Sequence, residues 1–393
     1  MARELAISSY LLLFSFLFRI AKLFPQQKKI VFCVSFAENN LYLYKELKKQ
    51  QPDIKCIFLT EKRTFSNLIN HKQSRDIVLL FSPVKWFSFF TGIYHLATAK
   101  VVVVDNYYGF LSKISFKKNV KCLQIWHAAG AIKQFGRKDP SIKTRSNAAK
   151  IRFQKVYKQF HYILTGSEKM SIIFQEAFGA SPDQMLPLGI PRTDLFFHTD
   201  TKKVIQEQLY AVYPQLKHKK IILYAPTYRD GETGYTLPLD LSLMKETLQE
   251  EYCLVLKLHP HITNTLNLDN YQGFVYDLTN LANLNELLLI TDYLITDYSS
   301  IPFEFSFLEK PMIFFPYDLA EYTASRGFWE EYTELVPGPI VANTAEIINI
   351  INSQSLHIDK DKMKKFHQEW NEYSDGHSSS NTVDLLLNWI KEE

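Results

Sequence analysis

Short runs of β-branched and other apolar residues alternate with amphipathic, helix-like stretches almost from one end of the chain to the other. The runs fall at residues 29–36, 54–60, 76–81, 100–106, 121–127, 162–167 and 185–188. A second series follows at 220–225, 253–259, 274–277, 293–297, 312–315 and 340–341. Several are apolar without alternation, such as VVVV at 101–104 and LITDY at 294–298. Runs of that kind are typical of parallel strands covered by helices on both faces. Strand and helix in regular alternation predict an α/β fold of two Rossmann-like, doubly wound domains facing a cleft. The expected division is an N-terminal helix over 1–24, a first domain over 25–200 and a second over 201–393. The join near 190–218 carries LGIPRTDLFF and a polar helix, and the last 33 residues read as two helices broken by SDGHSSSN.

The N-terminus changes this picture. Residues 5–18, LAISSYLLLFSFLF, hold no charge, and Arg19, Lys22, Lys28 and Lys29 follow. Fourteen residues fall short of the ~20 that span a bilayer, and no small-residue cleavage site follows. An apolar helix with a basic flank suits an anionic membrane surface; a docked core helix and a signal anchor are the alternatives. A net charge of +4 on 393 residues is too modest for a nucleic-acid binder. Four cysteines, Cys33, Cys56, Cys122 and Cys253, each sit in an apolar run with no C-x-x-C pair, as expected of buried, reduced thiols.

Ligands of open α/β sheets bind beyond the carboxyl ends of the strands, and that rule selects the residues with candidate chemistry. His127 follows CLQIW and precedes small residues, then Lys133 and Arg137. A histidine so placed can take a proton from a hydroxyl, and the basic residues can hold phosphate. His259, in LHPHI, is a phosphate contact in preference to a metal ligand, because no third ligand lies close by. In TDYSSIPFEF, Ser299 and Ser300 open a helix whose amides would seat a diphosphate. Glu304, one turn on, would accept from ribose hydroxyls. Thr227 and Arg229 end another strand, and Arg326 lies on a late loop; a diphosphate contact and a surface salt bridge are equal alternatives for these arginines. Between 133 and 158 stand nine basic residues and one acidic, Asp139, an anion-facing surface or a disordered loop.

Taken together, DNYYGF, WHAAGAIKQFG, LGIPRTD, YAPTYRD, KLHPH, TDYSS with FEF, and SRGFWEEY with PGPIV occur in one order over roughly residues 100–345. In this the chain resembles the CDP-glycerol glycerophosphotransferases of teichoic acid synthesis in Gram-positive bacteria. The resemblance implies a glycosyltransferase-B-like pair of domains, CDP-glycerol held mainly by the second, and a peripheral place on the cytoplasmic face of the membrane. It implies that His127 and His259 are needed for transfer and that Ser299, Ser300 and Arg326 face the donor phosphates. Family members often carry Asp where Glu304 stands and WHG where this chain has WHA. The wording is nearest the primase branch, which adds the first glycerol phosphate to an undecaprenyl-diphosphate-linked N-acetylmannosaminyl-N-acetylglucosamine, and 393 residues leave no room for the extra N-terminal region of many polymerases. A second-step or polymerising glycerol or ribitol phosphate transferase, and a nucleotide-sugar glycosyltransferase, are the alternatives. No cofactor is expected beyond the donor substrate, and no metal site is visible, with Mg²⁺ on the diphosphate left open. The expected partners are CDP-glycerol, the lipid-linked acceptor, anionic lipid and other enzymes of the pathway.

Overall fold

The structure is a computed structural model in which residues 2–229, 236–258, 266–281, 283–353 and 359–392 are described. By its internal contacts the chain forms two units. The first is Met1–Ala128, Phe135–Asp194 and Glu372–Glu393; the second is Ala129–Gln134 and Leu195–Asn371.

All seven expected strands of the first series form. They are β1 (Gln27–Val34), β2 (Lys55–Thr60), β3 (Ile77–Leu80), β4 (Ala99–Val104), β5 (Lys121–Gln124), β6 (Tyr162–Leu164) and β7 (Met185–Leu186), paired in parallel in the order β3-β2-β1-β4-β5-β6-β7. Every residue of β4 is buried, which is why the VVVV run shows no alternation: helices cover both faces. Val31 of β1 lies opposite Ile57 on one side and Val102 on the other. All four cysteines are buried and unpaired.

The second unit holds β8 (Lys220–Tyr224), β9 (Tyr252–Leu256), β10 (Val275–Asp277), β11 (Tyr293–Thr296) and β12 (Met312–Phe314), parallel in the order β10-β9-β8-β11-β12. The run at 340–341 is reduced to a single bridge between Phe314 and Ile340. Pro337 and Pro339 have no N–H to give a ladder. Gly338 lies so close to the Met312 carbonyl that a Cβ would meet its oxygen at 2.2 Å.

The observed division differs from one at residue 200 in that the chain's end returns to the first unit. The closing helix, Ser378–Lys391, buries Val383, Leu386, Leu387, Trp389 and Ile390 in the core that holds β1 and β4. Asp194, in LGIPRTD, accepts from the N–H groups of Ser378 (3.0 Å) and Ser379 (2.8 Å) and so caps that helix. Gly189 of the same motif has φ +77°, and a Cβ there would lie 2.2 Å from Ser378 Oγ. The motif is therefore the seam that receives the returning helix.

The N-terminal helix, Ala2–Ala21, is docked along one face only. Leu11, Phe14, Phe18 and Ala21 are buried, with Phe14 stacked on Phe110 at 4.9 Å. Among the described residues it is the one helix long and apolar enough to cross a membrane.

Candidate functional site

In each sheet the order runs outward both ways from the first strand, so β1 lies between β2 and β4, and β8 between β9 and β11. Crossovers leave β1, and likewise β8, toward opposite edges. The strand ends part there into the crevice where open α/β sheets bind ligands. Each unit places an aspartate at that point.

In the first unit it is Asp105, directly after β4 and fully buried. Its carboxylate accepts from the N–H of Ser35 (3.0 and 2.9 Å) and Phe36 (2.8 Å) at the end of β1, from the Asn40 amide (2.8 Å) and from the Tyr108 hydroxyl (2.7 Å). Burial pushes this carboxyl up to about 7, against hydrogen bonds that favour the anion.

The Asp105 carbonyl oxygen also meets His127 Nδ1 at 3.1 Å. A carbonyl only accepts, so Nδ1 carries a proton, and the neutral form of the ring has its lone pair on Nε2. The imidazole stacks on Phe36 (4.1 Å, 14°) and against Trp126 (4.3 Å, 31°). Trp126 has φ +51°, a conformation that costs about 1–3 kcal/mol in a bulky residue. It is held by Phe135 at 4.6 Å, by Phe174 and Phe178, and by the Asn39 amide on its carbonyl (3.1 Å). This strained turn ends β5 early and aims His127 out of the sheet.

In the second unit the aspartate is Asp297, after β11 and also buried. It accepts from the N–H of Thr227 (2.8 Å) and Tyr298 (2.6 Å) and from Arg229 Nη2 (2.9 Å). Arg229 further donates Nε and Nη2 to Asp318 at 2.7 and 2.8 Å and Nη1 to the Thr227 carbonyl. Its guanidinium lies 4.7–5.1 Å from the rings of Tyr298, Tyr317 and Tyr322. Burial works against the cation, but the bonds to Asp318 and the charge of Asp297 outweigh it and hold the pKa of Arg229 above its ordinary value. Tyr332 donates to the Asp297 carbonyl at 2.8 Å.

Ser299 and Ser300 follow at once and are half-buried. Ser299 Oγ accepts from the Ile301 N–H (3.3 Å). The helix they open, Ile301–Phe305, is only five residues long. Glu304 is 1% exposed and its Oε1 accepts from the N–H of Ala129 (3.2 Å). This carboxylate is turned inward and ties down the loop after the WH dipeptide. The sequence led us to expect a ribose ligand at this position; the structure shows the carboxyl buried and bonded to a main-chain amide.

The loop Ala129–Gln134 belongs to the second unit, although His127 belongs to the first. A Cβ on Gly130 would lie 2.6 Å from the Phe303 ring, so only glycine fits. Residues 132–134 then pair with 327–329 as a short antiparallel ribbon: Trp329 N–H to the Ile132 carbonyl, Gln134 N–H to the Gly327 carbonyl, both 3.0 Å, with Lys133 bridged to Phe328. Lys133, half-buried, thus shares a ribbon with the residues after Arg326, which is exposed at the end of the helix Leu319–Arg326. Arg137 is in the first unit and packs over Gly179, the left-handed cap of the helix Glu168–Phe178. His259 lies outside the described residues.

Thr227, Arg229, Ser299, Ser300 and Glu304 therefore sit around one switch point, with Arg229 committed to two carboxylates. Asp105, Asp297, Asp318 and Tyr298 were not singled out from the sequence. The available signal was an aspartate directly after an all-apolar strand, in VVVVD and LITD.

A family model described as CDP-glycerol:poly(glycerophosphate) glycerophosphotransferase matches residues 15–388. The teichoic acid glycerol-phosphate primase of Bacillus subtilis is 35% identical over 391 residues, which cover 99% of each chain. The teichoic acid poly(ribitol-phosphate) polymerase of Bacillus spizizenii is 32% identical over 95% of this chain but only 59% of its own length. Among solved structures, the wall teichoic acid polymerase TagF has a TM-score of 0.81 at 24% identity, over 99% of this chain and 97% of that one.

Proposed function

The chain belongs to the CDP-glycerol:poly(glycerophosphate) glycerophosphotransferase family, and from that premise we propose that it is a primase of wall teichoic acid. It is a transferase that uses CDP-glycerol; the proposed acceptor is the undecaprenyl-diphosphate-linked disaccharide, which would receive its first glycerol phosphate as CMP leaves. The observation that best supports the priming step is the 35% identity to a glycerol-phosphate primase over 99% of both chains, above the 29–32% identity to polymerases.

In this reading His127 Nε2 takes the proton of the attacking sugar hydroxyl, with the tautomer set by Asp105. Ser299, Ser300, Arg326 and His259 meet the donor phosphates, with Thr227 at the same switch point. Arg229 and Glu304 act through others: Arg229 fixes Asp297, and Glu304 fixes the loop that carries Lys133. Phosphoryl transfer is catalysed chiefly by positioning and charge, so several modest contributors are expected. The protein works peripherally at the cytoplasmic face, where its acceptor is embedded; the partly exposed apolar helix at residues 2–21 supports that placement.

The test is to supply a synthetic lipid-linked disaccharide with CDP-glycerol, CDP-ribitol or UDP-sugars and to read product mass. One added glycerol phosphate per acceptor, with stoichiometric CMP, is the expected result. A ladder of units, or a preference for ribitol, would move the chain to a later step; released UDP would make it a glycosyltransferase.

A further inference from the structure

The N-terminal helix is apolar on two opposite faces. At 3.6 residues per turn, the buried Leu11, Phe14, Phe18 and Ala21 fall on one side, and Leu5, Leu12, Leu13, Phe16 and Ile20 within an arc of about 100° directly opposite. The outer set is 45–70% exposed. Docking accounts for the inner face and leaves the outer one without a partner.

Each flank of this helix carries something different. On one, Tyr10 and Phe14 pack on Phe89 at 6.0 and 5.8 Å, which belongs to the helix Trp86–Ala97. The start of that second helix exposes Val84 (86%), Trp86 (70%), Phe87 (73%) and Phe90 (46%). On the other flank a groove of about 450 Å³ is lined by Arg19, Lys22, Lys113, Lys155 and Lys158, with no carboxylate in its wall. Lys22 is spent on the carbonyls of Ser115 and Phe116. Arg19, Lys155 and Lys158 make no ion pair among the described residues. A neighbouring groove, lined by Arg3, Arg145 and Arg152, has its charge partly met by Glu4, 3.2 Å from Arg152. The first groove has no such counter-charge.

We propose that this surface of the first unit is a docking site for an anionic phospholipid bilayer, in which Trp86, Phe87 and Phe90 form a second inserting element and the Arg19–Lys155–Lys158 groove receives lipid phosphate. It deepens the reading of the protein as membrane-associated and rests on it. Apolar side chains enter the acyl boundary while cations beside them stay at the level of the headgroups. Trp86 is suited to that depth because its ring is amphipathic. Five cations without a carboxylate match an anionic layer in charge, and the apolar strip alongside selects a bilayer over a soluble phosphate.

The experiment is vesicle sedimentation with the full chain, using phosphatidylcholine alone or with phosphatidylglycerol. Thermal transition and CMP release on a water-soluble acceptor serve as controls for folding. The triple variant Arg19→Gln, Lys155→Gln, Lys158→Gln should lower partitioning into the anionic vesicles on the order of 10²-fold, about five-fold per cation, and leave the neutral ones unchanged. Trp86→Ser with Phe87→Ser should weaken binding to both kinds. Leu12→Ser with Phe16→Ser tests the underlying reading. If this last variant detaches the protein while the other two behave as wild type, the helix alone anchors it and the proposal is wrong. If none of the three changes binding, the membrane reading fails with it. Millimolar inorganic pyrophosphate should compete poorly; full competition without loss of vesicle binding in the triple variant would make the groove a site for soluble phosphate and overturn the proposal.

Discussion

The two switch points use the same device to different ends. Each puts a buried aspartate after a central strand and ties it to main-chain N–H groups at the end of the neighbouring strand. Asp105 is met only by neutral donors. Asp297 is paired with Arg229, which also grips Asp318. The first arrangement leaves a carboxyl whose ionisation is costly, and its own carbonyl orients His127. The second fixes a full set of charges, so that the hydroxyls of Ser299 and Ser300 leave the strand from a rigid floor. In the proposed reading one region is built around a proton and the other around a phosphate.

If that contrast is right, the largest effect on stability comes from the second region. Arg229→Ala should cost about 3–5 kcal/mol, because it strands the buried carboxylate of Asp297 and the half-buried one of Asp318; chemical denaturation measures it. A loss below 1 kcal/mol would mean the pair is solvated and the floor is not rigid. In the first region the largest effect falls on chemistry. His127→Ala should lower turnover about 10²-fold or more, with donor affinity and melting temperature kept. Turnover near wild type would remove His127 from the role of base.

A smaller effect separates the phosphate frame from its floor. Ser299→Ala with Ser300→Ala should weaken CDP-glycerol binding about ten-fold, as expected for lost hydrogen bonds to a charged ligand, at unchanged stability. Calorimetry decides it; an unchanged dissociation constant would place the donor elsewhere.

The strands of both sheets were legible in the sequence because buried parallel strands are continuous apolar runs. The switch-point residues were legible as positions, since strand ends can be counted. Their partners were not. Nothing local says that Arg229 will meet Asp318, 89 residues on, or that Glu304 will turn inward to the amide of Ala129. Such pairings are made by the fold and cannot be read from spacing. The return of the last helix was hidden for the same reason: Asp194 in LGIPRTD reads as a polar residue at a domain exit until the N-terminus of the closing helix is set against it. The two-sided N-terminal helix was half legible, because an uncharged stretch conceals which apolar face docks and which stays outside.

The finest test of the contrast is the proton on Asp105. Burial raises its carboxyl to about 7 from the ordinary 3.8, so between those values the folded protein holds a proton that the unfolded chain has released. The stability this supplies is complete below the ordinary value and is lost as pH rises through about 7. From pH 6 to pH 8 the loss should be ~1 kcal/mol. Asp105→Asn cannot titrate. It will be less stable overall, because its amide turns donors toward the N–H groups of Ser35 and Phe36, but it should lack this component of the pH slope. The quantity to follow is the unfolding free energy of wild type minus that of the variant, by urea titration at the two pH values. It should shrink by that amount as pH rises. A difference that stays constant would show Asp105 ionised throughout, and the proton that sets the first switch point apart would be gone.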